Sequence, residues 1–413
     1  FPRRTFRTCP ILRTELMDLE KGTQIDVHSC LNPQKKYGAD VISRINHTYE
    51  DEKGIEDLFR LMRNQLNDII DQLCKNNGIN PDNIYETVLV GNTTMMHMAV
   101  GIPCKNIANF PFRPAFTLGL RFKAKEMGLK QNPEGYVVTL PNVSGFVGAD
   151  TMAAILACGM HADSEISLLV DIGTNGEIVL GNKDQMLSCS TAAGPAFEGG
   201  KITFGIGGVA GAIDHVNLEE DPMYSTIGGL PPVGICGSGI TDAIAELLKY
   251  KIVDPSGKMM SQENLRDEMP NALLKNIVTY ENLNSFVIDE KSGILVTQAD
   301  VRELQLAKAA IYAGVEVLID RMGIKPQDIA KVYLAGGFGN YLNLDSAFAI
   351  KLLPQELEGK VKPIGNGAGT GAKMALLSQK TLNSIKDVAA KIEYIELSTS
   401  MDFQNKFIKA IRF

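Results

Sequence analysis

The run Ser167-Leu168-Leu169-Val170-Asp171-Ile172-Gly173-Thr174-Asn175-Gly176-Glu177-Ile178-Val179-Leu180 places one carboxylate at the end of an apolar stretch, then small residues, then a second apolar stretch. Asn-Gly between two apolar runs signals a β-hairpin with a type I′ turn. Two readings fit. One is a plain hairpin. In the other, the backbone N–H groups and hydroxyl of Gly173, Thr174, Asn175 and Gly176 cradle phosphate oxygens, and Asp171 holds Mg²⁺ through water beside them.

Four further segments have the composition of ligand-facing turns. Val332-Tyr333-Leu334-Ala335-Gly336-Gly337-Phe338-Gly339 is a strand feeding bare backbone, which lets Gly336, Gly337 and Gly339 approach a flat adenine or ribose, or simply make a tight turn. Its spacing does not match G-x-G-x-x-G. Gly194 to Lys201 comes close to a P-loop, but the spacing puts Gly200 where the lysine belongs, and Lys201 is followed by Ile202 rather than Ser or Thr, so no P-loop is assigned. Gly194 and Glu198 remain as loop packing or as ligand contacts. Gly365 to Lys373 opens a small-residue helix suited to hinge packing, or to presenting amides to an anion. Asp150 sits in the first turn of an alanine-rich helix, where it either complements the helix dipole or orients a nucleophilic water.

The elements that must position these residues alternate strand and helix. A hairpin spans Glu15 to Thr23, with Glu20-Lys21-Gly22 at its turn. Ile55 to Cys74 has helical periodicity and stops at Asn76-Asn77-Gly78. Strands at Glu86–Val90 and Tyr136–Leu140 each lead through a loop into a helix, the second being Thr151 to Met160. After a boundary in 161–164, a hairpin, a glycine-rich stretch, a helix (Gly239–Tyr250), a polar insertion (Asp254–Asn284), a long helix (Gln298–Arg321) and a strand (Lys331–Leu334) follow. This order predicts an α/β fold of two lobes, residues 1–163 and 164–413.

Composition narrows the function. The chain has 413 residues, 45% hydrophobic and 22% charged, with 39 glycines, above the roughly 7% of average usage. A net charge of −7 offers no footprint for nucleic acid or an anionic membrane surface. No apolar run is long enough to span a bilayer. Seven scattered cysteines and five histidines show no metal-ligand or disulfide spacing, which points to reduced thiols and a cytoplasmic location.

The order of these motifs resembles the actin-like ATPases, and more specifically the C-terminal ATPase domain of the reductive activators of corrinoid proteins. The resemblance is carried by Leu31-Asn32-Pro33-Gln34, Tyr37 to Ile45, Val90-Gly91-Asn92-Thr93-Thr94-Met95, Gly145 to Asp150, Asp171 to Glu177, Gly194 to Gly199 and Leu334 to Asn340, over roughly Leu16 to the end of the sequence. It implies an actin-like or Hsp70-like fold of two lobes around a nucleotide cleft, in which the C-terminal segment packs back on the first lobe. The implied activity is ATP-dependent return of a Co(II) corrinoid to Co(I) for methyl transfer. ATP and Mg²⁺ are the implied ligands, with a [2Fe–2S] cluster expected only in an upstream domain. Asp171 and Gly173 to Gly176 would hold Mg²⁺ and phosphates, Gly336 and Gly337 would face adenosine, and Asp150 and Glu198 would act beside them. Expected partners are a corrinoid protein or corrinoid-dependent methyltransferase, an electron-donating ferredoxin domain, and a second copy in a homodimer.

Relatives of this type carry a first phosphate hairpin, Asp-Ile-Gly-Thr-Thr-Thr, ahead of the Met17-Asp18-Leu19 region. Here Phe1 to Thr14 reads FPRRTFRTCPILRT, which looks foreign and is expected to leave the phosphate site with one wall. Two rival functions are a small-molecule kinase of the same superfamily and a corrinoid-protein docking module without ATPase activity.

Overall fold

In the computed structural model, which describes residues 11–413 except 39, 174, 194, 267–269 and 340, strands β1 (Ile11–Asp18) and β2 (Thr23–Leu31) form an isolated antiparallel hairpin. Thr174 and Gly194, singled out above, lie outside the described residues. The amphipathic helix Gly54–Asn77 ends at Gly78, whose φ of +64° is the left-handed cap that glycine adopts without strain. A three-stranded sheet follows, in the order β3 (Glu86–Leu89), β5 (Tyr136–Thr139), β4 (Arg121–Lys123). β3 and β5 are parallel.

The central sheet has six strands. β6 (Ser167–Ile172), β7 (Gly176–Gly181) and β8 (Met186–Thr191) make an antiparallel meander. Two small sheets come next in the chain: β9 (Ala212–Val216) with β10 (Tyr224–Thr226) and β11 (Gly234–Ile235), then β12 (Ile277–Tyr280), β13 (Leu283–Asp289) and β14 (Ile294–Thr297). The segment expected as a polar insertion, 254–284, thus contributes one whole strand and the start of another. β15 (Lys331–Ala335), β16 (Val361–Gly365) and β17 (Ile392–Tyr394) complete the central sheet in the order β16-β15-β6-β7-β8-β17. The α/β class read from the sequence is the fold observed. Among the described residues no helix is long and apolar enough to cross a membrane, and the six described cysteines are free.

Strand alternation divides the central sheet into two faces. Leu168, Val170, Ile172, Ile178 and Leu180 face a core shared with the long helix Gln298–Met322. Leu169, Val179, Tyr333 and Ala335 face a second core built on the alanine-rich helix Ala149–Cys158. On this second face the alanine-rich helix meets the helix Gly367–Leu377 almost backbone to backbone. A Cβ added at Gly371 would lie 1.8 Å from the Ala153 carbonyl oxygen, and one at Gly367 would lie 3.2 Å from the Ala154 Cβ. Small residues there do what the sequence suggested: they allow close helix packing.

β1 and β3 each have one unpaired edge among the described residues, because β1 pairs with β2 and β3 with β5. Between them lies a cavity of about 630 Å³ with a mainly apolar lining that includes Leu16, Met62, Leu66, Val88 and Met96.

The helix contact is directly testable. Gly371→Ala should destabilise the chain by about 1–3 kcal/mol, the usual cost of forcing volume into a packed contact, read as an earlier midpoint in chemical denaturation. An unchanged midpoint would show that the two helices do not sit this close.

Candidate active site

The hairpin expected to hold phosphates is present, but its register differs from the type I′ expectation. Ile172 pairs with Gly176 and Asp171 with Glu177, so the connection is the three residues 173–175 and Gly176 belongs to the ladder. The Gly173 N–H donates to the Asn175 carbonyl at 3.0 Å, which closes this loop. Gly176 is bare because a Cβ there would meet the Thr191 Oγ1 at 2.8 Å and Ile311 at 3.1 Å.

That register has an electrostatic consequence. Asp171 and Glu177 are directly opposed on neighbouring strands, and both project from the face covered by the alanine-rich helix. Asp150 arrives from the first turn of that helix. Its backbone N–H donates to the Gly91 carbonyl at 3.3 Å, and its Oδ1 accepts from the Thr151 N–H at 2.8 Å. The approach requires Gly148, whose added Cβ would lie 2.6 Å from the Asn92 Cα. Asn92 caps the helix Thr93–Val100 by accepting from the Met95 N–H at 2.9 Å, so the Gly91-Asn92-Thr93-Thr94 turn abuts the site.

Three half-buried carboxylates thus share one electrostatic field. Burial pushes Asp171 up to about 7, and the Asp150 charge adds to the rise. Burial also raises Asp150 to about 6, partly offset by the Thr151 N–H. Glu177 is raised well above the usual carboxylate range, first by burial and then by Asp150 and Asp171. Like charges at this spacing cannot all ionise cheaply. A nearby cation would relieve the repulsion, but the ligand atoms of the three carboxylates do not all lie within 4.8 Å of one another, so they form an acidic patch rather than a closed metal cage.

The second glycine turn joins the same place. Ala335 pairs with Asp171 across β15 and β6. A Cβ at Gly336 (φ +91°) would lie 2.8 Å from the Asp171 Oδ1 and 2.7 Å from the Ile172 carbonyl oxygen. Gly337 is exposed with open space around it, whereas Gly339 is buried against Leu334. Glu198 follows on the next turn, its Oε1 3.9 Å from a Cβ built at Gly173. Phe197 and Phe338 pack with ring centroids 4.8 Å apart, tying that turn to the Gly336 turn. Asp150, Asp171, Gly173, Gly176, Glu198 and Gly336 therefore converge. Asn175 lies in the loop between the strands, and Lys201 turns away to an ion pair with Glu303 at 3.8 Å.

Glu177 was not singled out from the sequence. The signal was available, because a three-residue connection after Ile172 puts Glu177 opposite Asp171. The Asn-Gly dipeptide argued instead for a two-residue turn that would have paired it elsewhere.

Comparisons with known proteins agree on one family. Residues 10–163 match the family described as the RACo middle region, and residues 165–413 match the C-terminal domain of RACo, the ASKHA domain. The chain is 38% identical over 405 residues to the corrinoid activation enzyme RamQ of Eubacterium limosum, covering 95% of this chain and 67% of that protein. It is 28% identical over 313 residues to the [Co(II) methylated amine-specific corrinoid protein] reductase of Methanosarcina barkeri, covering 70% and 53%. Among solved structures, a reductive activator for corrinoid, iron-sulfur protein matches with a TM-score of 0.85 and 37% identity over 100% of this chain and 66% of that one. The chain thus spans about two thirds of two of these relatives and about half of the third.

The carboxylate cluster makes a signed prediction. A carboxyl whose folded-state pKa lies above its unfolded value contributes stability that is present at low pH and is lost as the pH rises through the folded value. For Asp171 that window runs from the ordinary carboxylate range up to about 7. Asp171→Asn should therefore melt higher than the wild type at pH 8, with the difference shrinking toward pH 5. Saturating Mg²⁺ should raise the melting temperature of the wild type at pH 8 more than that of the variant. A pH-independent difference in scanning calorimetry would remove the carboxylate repulsion from the account.

Proposed function

The chain belongs to the RACo family of reductive activators of corrinoid proteins, and we propose that it is the ATPase part of such an activator, returning Co(II) corrinoid proteins to Co(I). The observation that carries this reading is the meeting of Asp150 with Asp171 and Glu177 beside the Gly173–Gly176 and Gly336 turns, two carboxylates from one hairpin and one from the helix across it. MgATP, when bound, supplies the driving force for an uphill one-electron reduction by favouring one of two lobe arrangements.

In this proposal the two lobes are residues 1–163 and 164–413. Asp171 holds Mg²⁺ through water, and the turn of Gly173, Thr174, Asn175 and Gly176 borders the phosphate oxygens. Gly194 and Glu198 border the phosphates from the adjoining turn, while Gly336, Gly337 and Gly339 shape the backbone that faces adenosine. Asp150, pushed up to about 6 by burial, accepts a proton from the attacking water. The electron comes from a [2Fe–2S] ferredoxin domain and passes to cobalt in a docked corrinoid protein or methyltransferase. The location is cytoplasmic, and a homodimer is the proposed assembly.

Hydrolysis of MgATP should be measurable and should rise when a Co(II) corrinoid protein is added. Asp150→Asn should lower kcat by about 10²–10⁴, the span of a lost general base, while nucleotide affinity stays near the wild-type value. Asp171→Asn should lose the Mg²⁺-dependent part of that affinity. Formation of Co(I), followed by absorbance with a low-potential donor, should require ATP. Phosphorylation of a small molecule without any protein partner would favour the kinase reading instead.

One observation favours a second reading, a docking module that does not bind ATP unaided. Among the described residues the edges of β1 and β3 that line the apolar cavity are unpaired, an arrangement into which one further strand would fit. Appending a strand with the Asp-Ile-Gly-Thr-Thr-Thr turn should then confer calorimetric MgATP binding that the 413-residue chain lacks. Equal binding by both would discard this second reading. No binding by either would discard the ATPase proposal.

A further inference from the structure

Far along the chain from the carboxylates, the long helix Gln298–Met322 and the helix Met401–Ala410 border a second cavity, of about 530 Å³. Five cationic side chains line it: Lys308, Lys351, Lys406, Lys409 and Arg412, against one acidic side chain, Glu316, and the α-carboxylate of Phe413. In a chain of net charge −7 this is a marked local inversion. Lys406 is neutralised by Asp320 at 2.6 Å and Asp402 at 3.7 Å. Among the described ion pairs none involves Lys308, Lys351, Lys409 or Arg412.

Lys308 gives the cavity its chemistry. It is 1% exposed and donates to the Arg412 carbonyl at 2.6 Å, with its ammonium nitrogen 5.2 Å from the Phe413 ring. Among the described residues the Arg412 carbonyl is its sole hydrogen-bond acceptor, so its other donor positions remain. Buried lysines are costly unless paired. Burial, with the Lys351 charge adding to it, brings Lys308 down to about 7. Lys351 closes the helix Leu344–Ala349 at a left-handed φ of +56°, its N–H donating to the Phe348 carbonyl, which fixes its backbone at the cavity rim. The Tyr312 ring stands beside Lys308 on the same helix face and supplies a hydroxyl to the lining.

We infer that this cavity is a binding site for a multiply charged phosphate group, held by Lys308, Lys351, Lys409 and Arg412 and separate from the nucleotide-type site at Asp171. A phosphate would draw a proton onto Lys308 and turn the repulsion among Lys351, Lys409 and Arg412 into charge-assisted hydrogen bonds. The acidic site is the opposite case, since it needs a cation before a phosphate can approach.

Inorganic pyrophosphate in EDTA, titrated calorimetrically into the full chain at pH 7.5 and moderate salt, probes the inference. One saturable site is expected, with affinity at least tenfold weaker in Lys351→Gln/Lys409→Gln and unchanged in Asp171→Asn and in the surface control Lys362→Gln. The apparent enthalpy should vary with buffer ionisation as Lys308 takes up a proton. On the wild type alone, pyrophosphate should shield Lys351 and Lys409 from acetylation, a readout that survives even if the double variant misfolds. No saturable binding, equal weakening by Lys362→Gln, or loss in Asp171→Asn with retention in the double variant would each overturn the site.

Discussion

Repulsion among the carboxylates of Asp150, Asp171 and Glu177 is the constraint around which the rest of this structure is arranged. Two of them are opposed across a β-ladder and the third enters from a helix N-terminus, so none can move away without breaking a backbone element. Proteins keep such clusters where a cation or a proton is to be bound, because elsewhere the repulsion is a net cost. The neighbouring turns are bare for the same reason. At Gly336 a side chain would strike the Asp171 carboxylate, and at Gly148 it would push the Asp150 helix off the Asn92 turn.

The same helix that delivers Asp150 also holds the molecule together at its middle. Its alanines pack under the central sheet on one side and against the helix Gly367–Leu377 on the other, with backbone nearly touching backbone at Gly371. Such contact gives little room for side-chain rearrangement, so motion at this junction would be a rigid shift of helices rather than a local adjustment. A displacement of the alanine-rich helix would carry Asp150 with it and change its position relative to Asp171 and Glu177.

At the two ends of the chain the balance differs. Among the described residues the hairpin β1–β2 stands apart from the β3-β5-β4 sheet, with an apolar cavity between strand edges that no other described strand pairs. Unpaired edges beside apolar surface are a form that natural sheets seldom leave uncovered. The cationic cavity near the last helix is the reverse case, a polar pocket in which, among the described residues, cations outnumber the acids that pair with them. Both features are invisible in overall composition, where hydrophobic content and net charge are those of an ordinary folded chain.

Local sequence determined much of this protein. The α/β alternation, the caps at Gly78 and Asn92, the strand ending in Asp171 and the small-residue helix after Gly365 follow from periodicity and turn chemistry that act within a few residues. The order of those motifs along the chain is also enough to resemble the corrinoid-activator family. What the tertiary structure decided is what depends on register and on distant contacts. The three-residue connection at 173–175 turned Glu177 toward Asp171, where the Asn-Gly signal suggested otherwise, because the alternation of apolar residues on β6 and β7 fixes which face each carboxylate takes. Likewise Lys308 looks like any helical lysine in sequence. Only the packing of chain segments about a hundred residues apart buries its ammonium among other cations, since desolvation and Coulomb energy depend on distance in space rather than along the chain.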